Sequence, residues 1–245
     1  MKNAILLSVL SFSLLAHAEP ARTRVTVLKP EVVYTPRGFD SNDNAQVVVS
    51  GSFTGYCMKT RSMEKKVDLN NRRIYLTHSV TIADGCTDLA MYIPYSNVVD
   101  LGPLPAGQYE IGAQDENGTY VRMGSIPISK AAVLNTHSTD ERVYAPVTSV
   151  SFSMTPAMSE PVITLGGILT NSCLNPANLE IRQTANNVIE ILPTLAVSRD
   201  NCKAVAVRYQ KSVTLKGFPS TDTLIHIRAM NGQSINRVIT RLDRL

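Results

Sequence analysis

Apolar and polar residues alternate along much of the chain with a period of two. Val47, Val49, Gly51 and Phe53 alternate with Gln46, Val48, Ser50 and Ser52, which predicts a strand with small or apolar residues on one face. Leu89, Met91 and Ile93 continue the same rhythm further on. Residues 108–113 and 119–126 flank Asn117-Gly118, and residues 224–229 and 235–242 flank Asn231-Gly232. Asn-Gly between strand-like runs predicts a hairpin, because both residues accept the positive φ of a tight turn. Asn70-Asn71 and Asn186-Asn187 are expected to form turns for the same reason. No segment carries an apolar stripe at helical spacing over three turns. The chain is therefore expected to be all-β.

The pattern occurs twice. Residues 45–113 slide onto 161–229 without a gap at an offset of 116, with fourteen identities that include Gly51/Gly167, Thr54/Thr170, Cys57/Cys173, Leu76/Leu192, Cys86/Cys202, Ser96/Ser212 and Pro103/Pro219. Chance matching on average composition gives about four or five. Two homologous domains of ordinary size follow, 19–130 and 143–245, joined by a polar linker at 131–142.

The first 18 residues read as a secretory signal peptide: Lys2, an apolar run at 4–16, and Ala16-His17-Ala18 as the cleavage site. Export changes the reading of the cysteines. Cys57 and Cys86 are 29 apart, as are Cys173 and Cys202. In an oxidising compartment the equal spacing pairs them as two disulfides, one in each half. The alternative is a four-cysteine zinc site, but a Cys-x-x-Cys pair is absent from the sequence. The expected location is the periplasm, the cell surface or the medium of a bacterium. No internal apolar run reaches the length of a membrane-spanning helix.

The segment Val99-Asp-Leu101-Gly-Pro103-Leu104-Pro105-Ala-Gly107-Gln-Tyr109-Glu-Ile111 resembles the corner before the penultimate strand of immunoglobulin-like and fibronectin-III-like domains. That resemblance implies two tandem Ig-like antiparallel β-sandwiches, and a Tyr109 hydroxyl bonded back across the turn. In the second half Ile225 stands at the tyrosine position. The chain also resembles periplasmic pilus chaperones, which are exported, basic, two-domain Ig-like proteins of similar length. Arg22-Thr23-Arg24-Val25 is similar to the start of their first strand. Under that resemblance Arg24 and Lys130 form a clamp for a partner's carboxylate.

Catalytic signatures are sparse. His78, His137 and His226 stand far apart and outside the metal-binding motifs, so they read as surface or satisfied strand histidines. The sequence holds no G-x-S-x-G elbow and no phosphate-binding glycine loop. Asp115-Glu116 and Asp140-Glu141 read as turn and linker acids rather than a glycosidase pair. Asp40 and Asp43, with Asn42 and Asn44, are candidate oxygen ligands for calcium, though their spacing fits no EF-hand. Neither a cofactor nor a metal is otherwise expected.

Composition adds one asymmetry. The whole chain carries 24 Lys and Arg against 20 Asp and Glu, too mild an excess to imply nucleic acid. The segment between Cys57 and Cys86 holds Lys59, Arg61, Lys65, Lys66, Arg72 and Arg73 against three acids. These six are the candidate surface for an anionic envelope component or an acidic protein partner. The expected function is non-enzymatic binding or scaffolding in the envelope. The alternatives are a pilus-type chaperone and a hydrolase with a site between the domains.

Overall fold

The β-branched and aromatic runs form strands, and the turn residues break them, throughout the computed structural model, which describes residues 22–85, 91–131, 144–154, 160–184, 186–197 and 202–240. The described chain is all-β, with a three-residue 3-10 turn and no α-helix among the described residues. The predicted signal peptide, residues 132–142 of the linker and Cys86 lie outside the described residues.

In the first half, β1 (Thr23–Val27), β5 (Met58–Asp68), β6 (Arg73–Ala83), β8 (Gly107–Gln114), β9 (Tyr120–Ser129) and β3 (Phe39–Asp40) form one sheet. A smaller sheet joins β2 (Val32–Tyr34), β4 (Ala45–Phe53) and β7 (Ile93–Gly102). Val47, Val49, Ile74, Leu76, Tyr109, Ile111 and Ile126 fill the core between them. In the second half, β12 (Leu174–Thr184), β13 (Val188–Val197), β15 (Thr223–Arg228) and β16 (Ser234–Ile239) form one sheet, and β10 (Ser149–Ser153), β11 (Val162–Leu169) and β14 (Val207–Thr214) form the other. Ile163, Leu165, Ile189, Ile191, Ile225 and Ile227 fill that core. Each half is sandwich-like. The pairings recur: β5–β6 and β12–β13 are antiparallel, whereas β6–β8 and β13–β15 are parallel.

The register departs from an ungapped repeat at two places. Four residues separate β5 from β6, whereas three separate β12 from β13. Ile74 therefore corresponds to core residue Ile189, and Leu76 and Leu192 fall on opposite faces. The left-handed residues are Arg72 (φ 50°) and Asn187 (φ 55°), so the Asn70-Asn71 pair does not supply the positive φ of its own turn. Further along, Gly51 pairs with Tyr95 and Gly167 with Tyr209, an offset of 114 between the tyrosines. Ser96 and Ser212 are accordingly not equivalent. The two glycines have a steric reason: a Cβ on Gly51 would lie 2.7 Å from the Tyr95 hydroxyl, and one on Gly167 only 1.8 Å from the Pro146 carbonyl oxygen.

The two Asn-Gly hairpins differ. Asn231 (φ 63°) and Gly232 (φ 67°) both take the left-handed conformation that two-residue hairpin turns need. In the first half only Gly118 does so, and Asp115 organises a longer loop by accepting the N–H groups of Asn117 and Thr119 at 3.0 and 2.8 Å. The Tyr109 hydroxyl donates to the Pro105 carbonyl at 3.0 Å, as the corner resemblance implies. Strand β7 begins at Ile93, leaving Met91 exposed before it, while Leu89 lies outside the described residues. Cys173 and Cys202 are bonded, with 5.1 Å between their Cα atoms, and Cys57 is also in a disulfide.

Candidate functional site at the junction of the two halves

β15 reads Thr-Leu-Ile-His-Ile-Arg and is buried at every position. A strand with one wet face would alternate; this one packs on both faces. Ile225 and Ile227 point into the second core. Leu224, His226 and Arg228 point the other way, towards the first half. On the opposing side, Val48 lies on the face of β4 turned away from its own core. It packs with Tyr34 against Val188, Leu224 and Val238. This explains why Val48 is buried although the alternation places it outside.

Beside that apolar patch lies a polar network. Asn236 Nδ2 donates to Gln46 Oε1 at 3.0 Å, and Ser234 Oγ donates to the same oxygen. With its N–H spent there, Asn236 presents Oδ1 to His226 Nδ1–H at 2.7 Å. Glu190 Oε1 accepts the Arg37 backbone N–H, and Asn186 Nδ2 donates to Thr35 Oγ1 at 3.2 Å. Arg228 lies 3.6 Å from Asp43 Oδ2, with its guanidinium 4.8 Å over Phe39 and 5.9 Å from the Tyr144 ring. Phe39 also meets the His226 ring edge-on at 5.7 Å.

Burial sets the charges here. His226 is fully buried, and desolvation pushes its pKa down to about 4, so it is neutral at pH 7. Its Nε2 is buried without a hydrogen-bond partner, and the residue borders a space of about 10 Å³ shared with Phe39, Asp43 and Ser234, room for about one water. Burial pushes Glu190 the opposite way, above the usual carboxylate range, partly offset by the Arg37 N–H. A larger cleft of about 120 Å³ opens next to it, lined in part by Arg37, Asp40, Lys130, Glu190 and Arg228.

The residues singled out in the sequence are placed as follows. Arg24 pairs with Ile82 near the end of β6, whereas Lys130 follows β9 beyond the start of β8. The two stand at opposite ends of the sheet and form no clamp. Lys59, Arg61, Lys65, Lys66, Arg72 and Arg73 are all exposed, but they do not make one patch. Lys59 and Lys66 share the outer face of the sheet, Arg61 sits at a bulge, and Arg72 lies in the turn. Lys65 is on the core-side register and donates to the Asp100 carbonyl of β7. Asp40 and Asp43 do not gather as a calcium site. Their carboxylates accept the Asn42 and Asp40 N–H groups at 3.0 and 2.9 Å, and Asp43 faces a guanidinium. No group of three metal-ligating side chains occurs among the described residues.

His78 is buried too, with its Nε2 3.0 Å from the Thr60 hydroxyl, so neither described histidine is a surface one; His137 lies outside the described residues. The sequence reading missed the junction, although the unbroken apolar run around His226 and Arg228 signals a strand covered on both faces. No helix among the described residues is long and apolar enough to cross a membrane. Comparison with protein-family models, with curated proteins and with solved structures finds no match for this chain.

Proposed function

We propose that this is an exported, non-enzymatic binding or scaffolding protein of the bacterial cell envelope, built from two tandem Ig-like sandwiches. The observation that carries this reading is a pair of large aromatic side chains left in water at one end of the first sandwich. Tyr56 precedes Cys57 and is 51% exposed, and Tyr92, just before β7, is 76% exposed. Phe53 pairs with Ile93, so both tyrosines fall at the same end of the first sandwich. Exposed aromatic groups on loops of a rigid sheet scaffold suit partner recognition. The disulfide in the second half and the oxidised Cys57 fit an oxidising compartment.

The interdomain hydrolase reading needs polar groups at the junction, and they are there. Their hydrogen bonds are spent largely on one another, and Asp40 and Glu190, the acids on the larger cleft, accept backbone N–H groups, so the arrangement favours a structural role for them. The chaperone reading loses its clamp, because Arg24 and Lys130 stand apart.

The test is a pull-down with the oxidised mature protein from the envelope fraction, at low and high salt, with wild type and a Tyr56→Ser/Tyr92→Ser variant. The expected result is one protein retained at both salts and lost with the variant. No retained partner, or retention indifferent to both tyrosines, would overturn the reading.

A further inference from the structure

The outer face of β11 is open where its counterpart in the first half is covered. Gly51 and Gly167 each pair with a tyrosine, so Val48 of β4 corresponds to Thr164 of β11, and Ser50 to Gly166. The strands on either side follow the same correspondence. Tyr34 and Val98 flank Val48, whereas Ser151 and Ser212 flank Thr164. In the first half Tyr34 and Val48 carry the apolar part of the junction. In the second half the same row holds hydroxyls instead. The centres of protein interfaces favour aromatic groups and disfavour serine, so this exchange moves the face away from protein docking.

A hollow of about 570 Å³ lies over that face, lined in part by Ser149, Ser151, Gly166, Ile168, Arg208 and Gln210. Small-molecule sites span about 300–1,000 Å³. Gly166 forms the floor, with Ser149 and Gln210 paired to it on either side. A glycine inside a strand marks a place where a ligand or another backbone comes close. Gly167 is accounted for by the Pro146 carbonyl, but Gly166 is not. Its φ is not positive, and the nearest atom to a Cβ there is the Ser149 hydroxyl at 2.6 Å, which can rotate aside. The packing of the chain does not demand this glycine, whereas an open floor does. The groups around it are unspent. The side chains of Ser149, Ser151, Arg208 and Gln210 make no hydrogen bond or ion pair among the described residues. The Thr164 and Ser212 hydroxyls share one bond at 2.8 Å. Ile168, 46% exposed, adds an apolar side chain to the lining.

We propose that this hollow binds a short saccharide. Sugar hydroxyls both donate and accept, and they need partners that do the same, which the serine hydroxyls and the Gln210 amide provide. The C–H face of a sugar ring needs an apolar neighbour, which Ile168 provides. The glycine floor lets the ring lie against the β11 backbone. Arg208 is the charged residue on the lining, so a uronate fits and a cationic sugar does not.

The experiment is binding of the full oxidised chain to an array of oligosaccharides covering neutral hexoses, N-acetylhexosamines and uronates, followed by calorimetric titration with the strongest binder. Ser149→Ala/Gln210→Ala removes two ligands at exposed positions, and Gly166→Val fills the floor. The control is Ser96→Ala, at the exposed first-half position that matches Gln210. The expected result is saturable binding to one sugar class, weakened about tenfold or more by the double variant, lost with Gly166→Val and unchanged in the control. A preferred uronate that Arg208→Gln weakens identifies an acidic sugar as the occupant, and an uncharged sugar indifferent to that change identifies a neutral one; either upholds the site. The proposal is overturned by absent saturation across the array, by binding that the double variant leaves unchanged, or by equal weakening in the control. Tyr56 and Tyr92 stay intact throughout, so the outcome is independent of the protein-partner reading.

Discussion

Acidification should cost this protein stability through His226, and replacing that side chain should remove the cost. His226 is fully buried between the halves; burial is the main cause of a pKa near 4, the Arg228 charge adds to it, and the Asn236 hydrogen bond opposes it. An unfolded histidine titrates near 6.5. Between these values the unfolded chain binds more protons, so stability falls as pH drops below about 6.5 and levels off below the folded value. The limiting slope is about 1.4 kcal/mol per pH unit, and integrating between the two pKa values gives a loss of roughly 2 kcal/mol from pH 7.5 to 5. Glu190, the strand neighbour of His226, acts in the opposite sense. Its raised pKa gives stability that is present below the ordinary carboxylate value and is lost as pH rises through the raised one. His78, lowered by burial, adds to the acid loss. Both effects are common to wild type and His226→Gln, so the difference between the two proteins isolates His226. Glutamine can still donate to Asn236. Urea midpoints at pH 7.5, 6 and 5 make the measurement. The variant's disadvantage should shrink, or reverse, by about 2 kcal/mol at pH 5. Parallel pH profiles for the two proteins would refute the reasoning.

Three further outcomes follow from packing. Gly167→Ala should lose about 3 kcal/mol in urea unfolding, and more than Gly51→Ala, because its Cβ meets the Pro146 backbone rather than the end of the Tyr95 side chain. Tyr109→Phe should lose about 1 kcal/mol, since the hydroxyl bond to Pro105 disappears while the buried ring remains. A Cys173→Ala/Cys202→Ala variant should lose about 3–4 kcal/mol relative to the oxidised protein, the effect of opening a loop of 29 residues.

The sequence showed strands well wherever one face is wet. The alternation over 45–53, the Asn231-Gly232 turn and the Tyr109 corner are local features, and each appears in place. The Cys173–Cys202 bridge followed from spacing and export. What stayed hidden depends on how the halves meet. Val48 reads as an outward residue on β4 and is covered by Leu224 of the other half, a contact no period-two pattern encodes. An ungapped repeat also hides register. One residue fewer in the second turn moves Leu192 to the opposite face from Leu76, and the tyrosines that face Gly51 and Gly167 sit at a different offset. The basic segment looked like one patch because charge counts ignore facing; the β5 bulge and its register send Lys59 and Lys65 to different sides.

The claim that most needs testing is that the two halves form one body through the junction. Scanning calorimetry of the oxidised chain tests it directly. A single transition is expected, with calorimetric and van't Hoff enthalpies that agree, and Leu224→Ala should move the whole transition downward, since a buried leucine truncation costs about 2–5 kcal/mol. Two resolved transitions in the wild type, each with the enthalpy of half the chain, would contradict it.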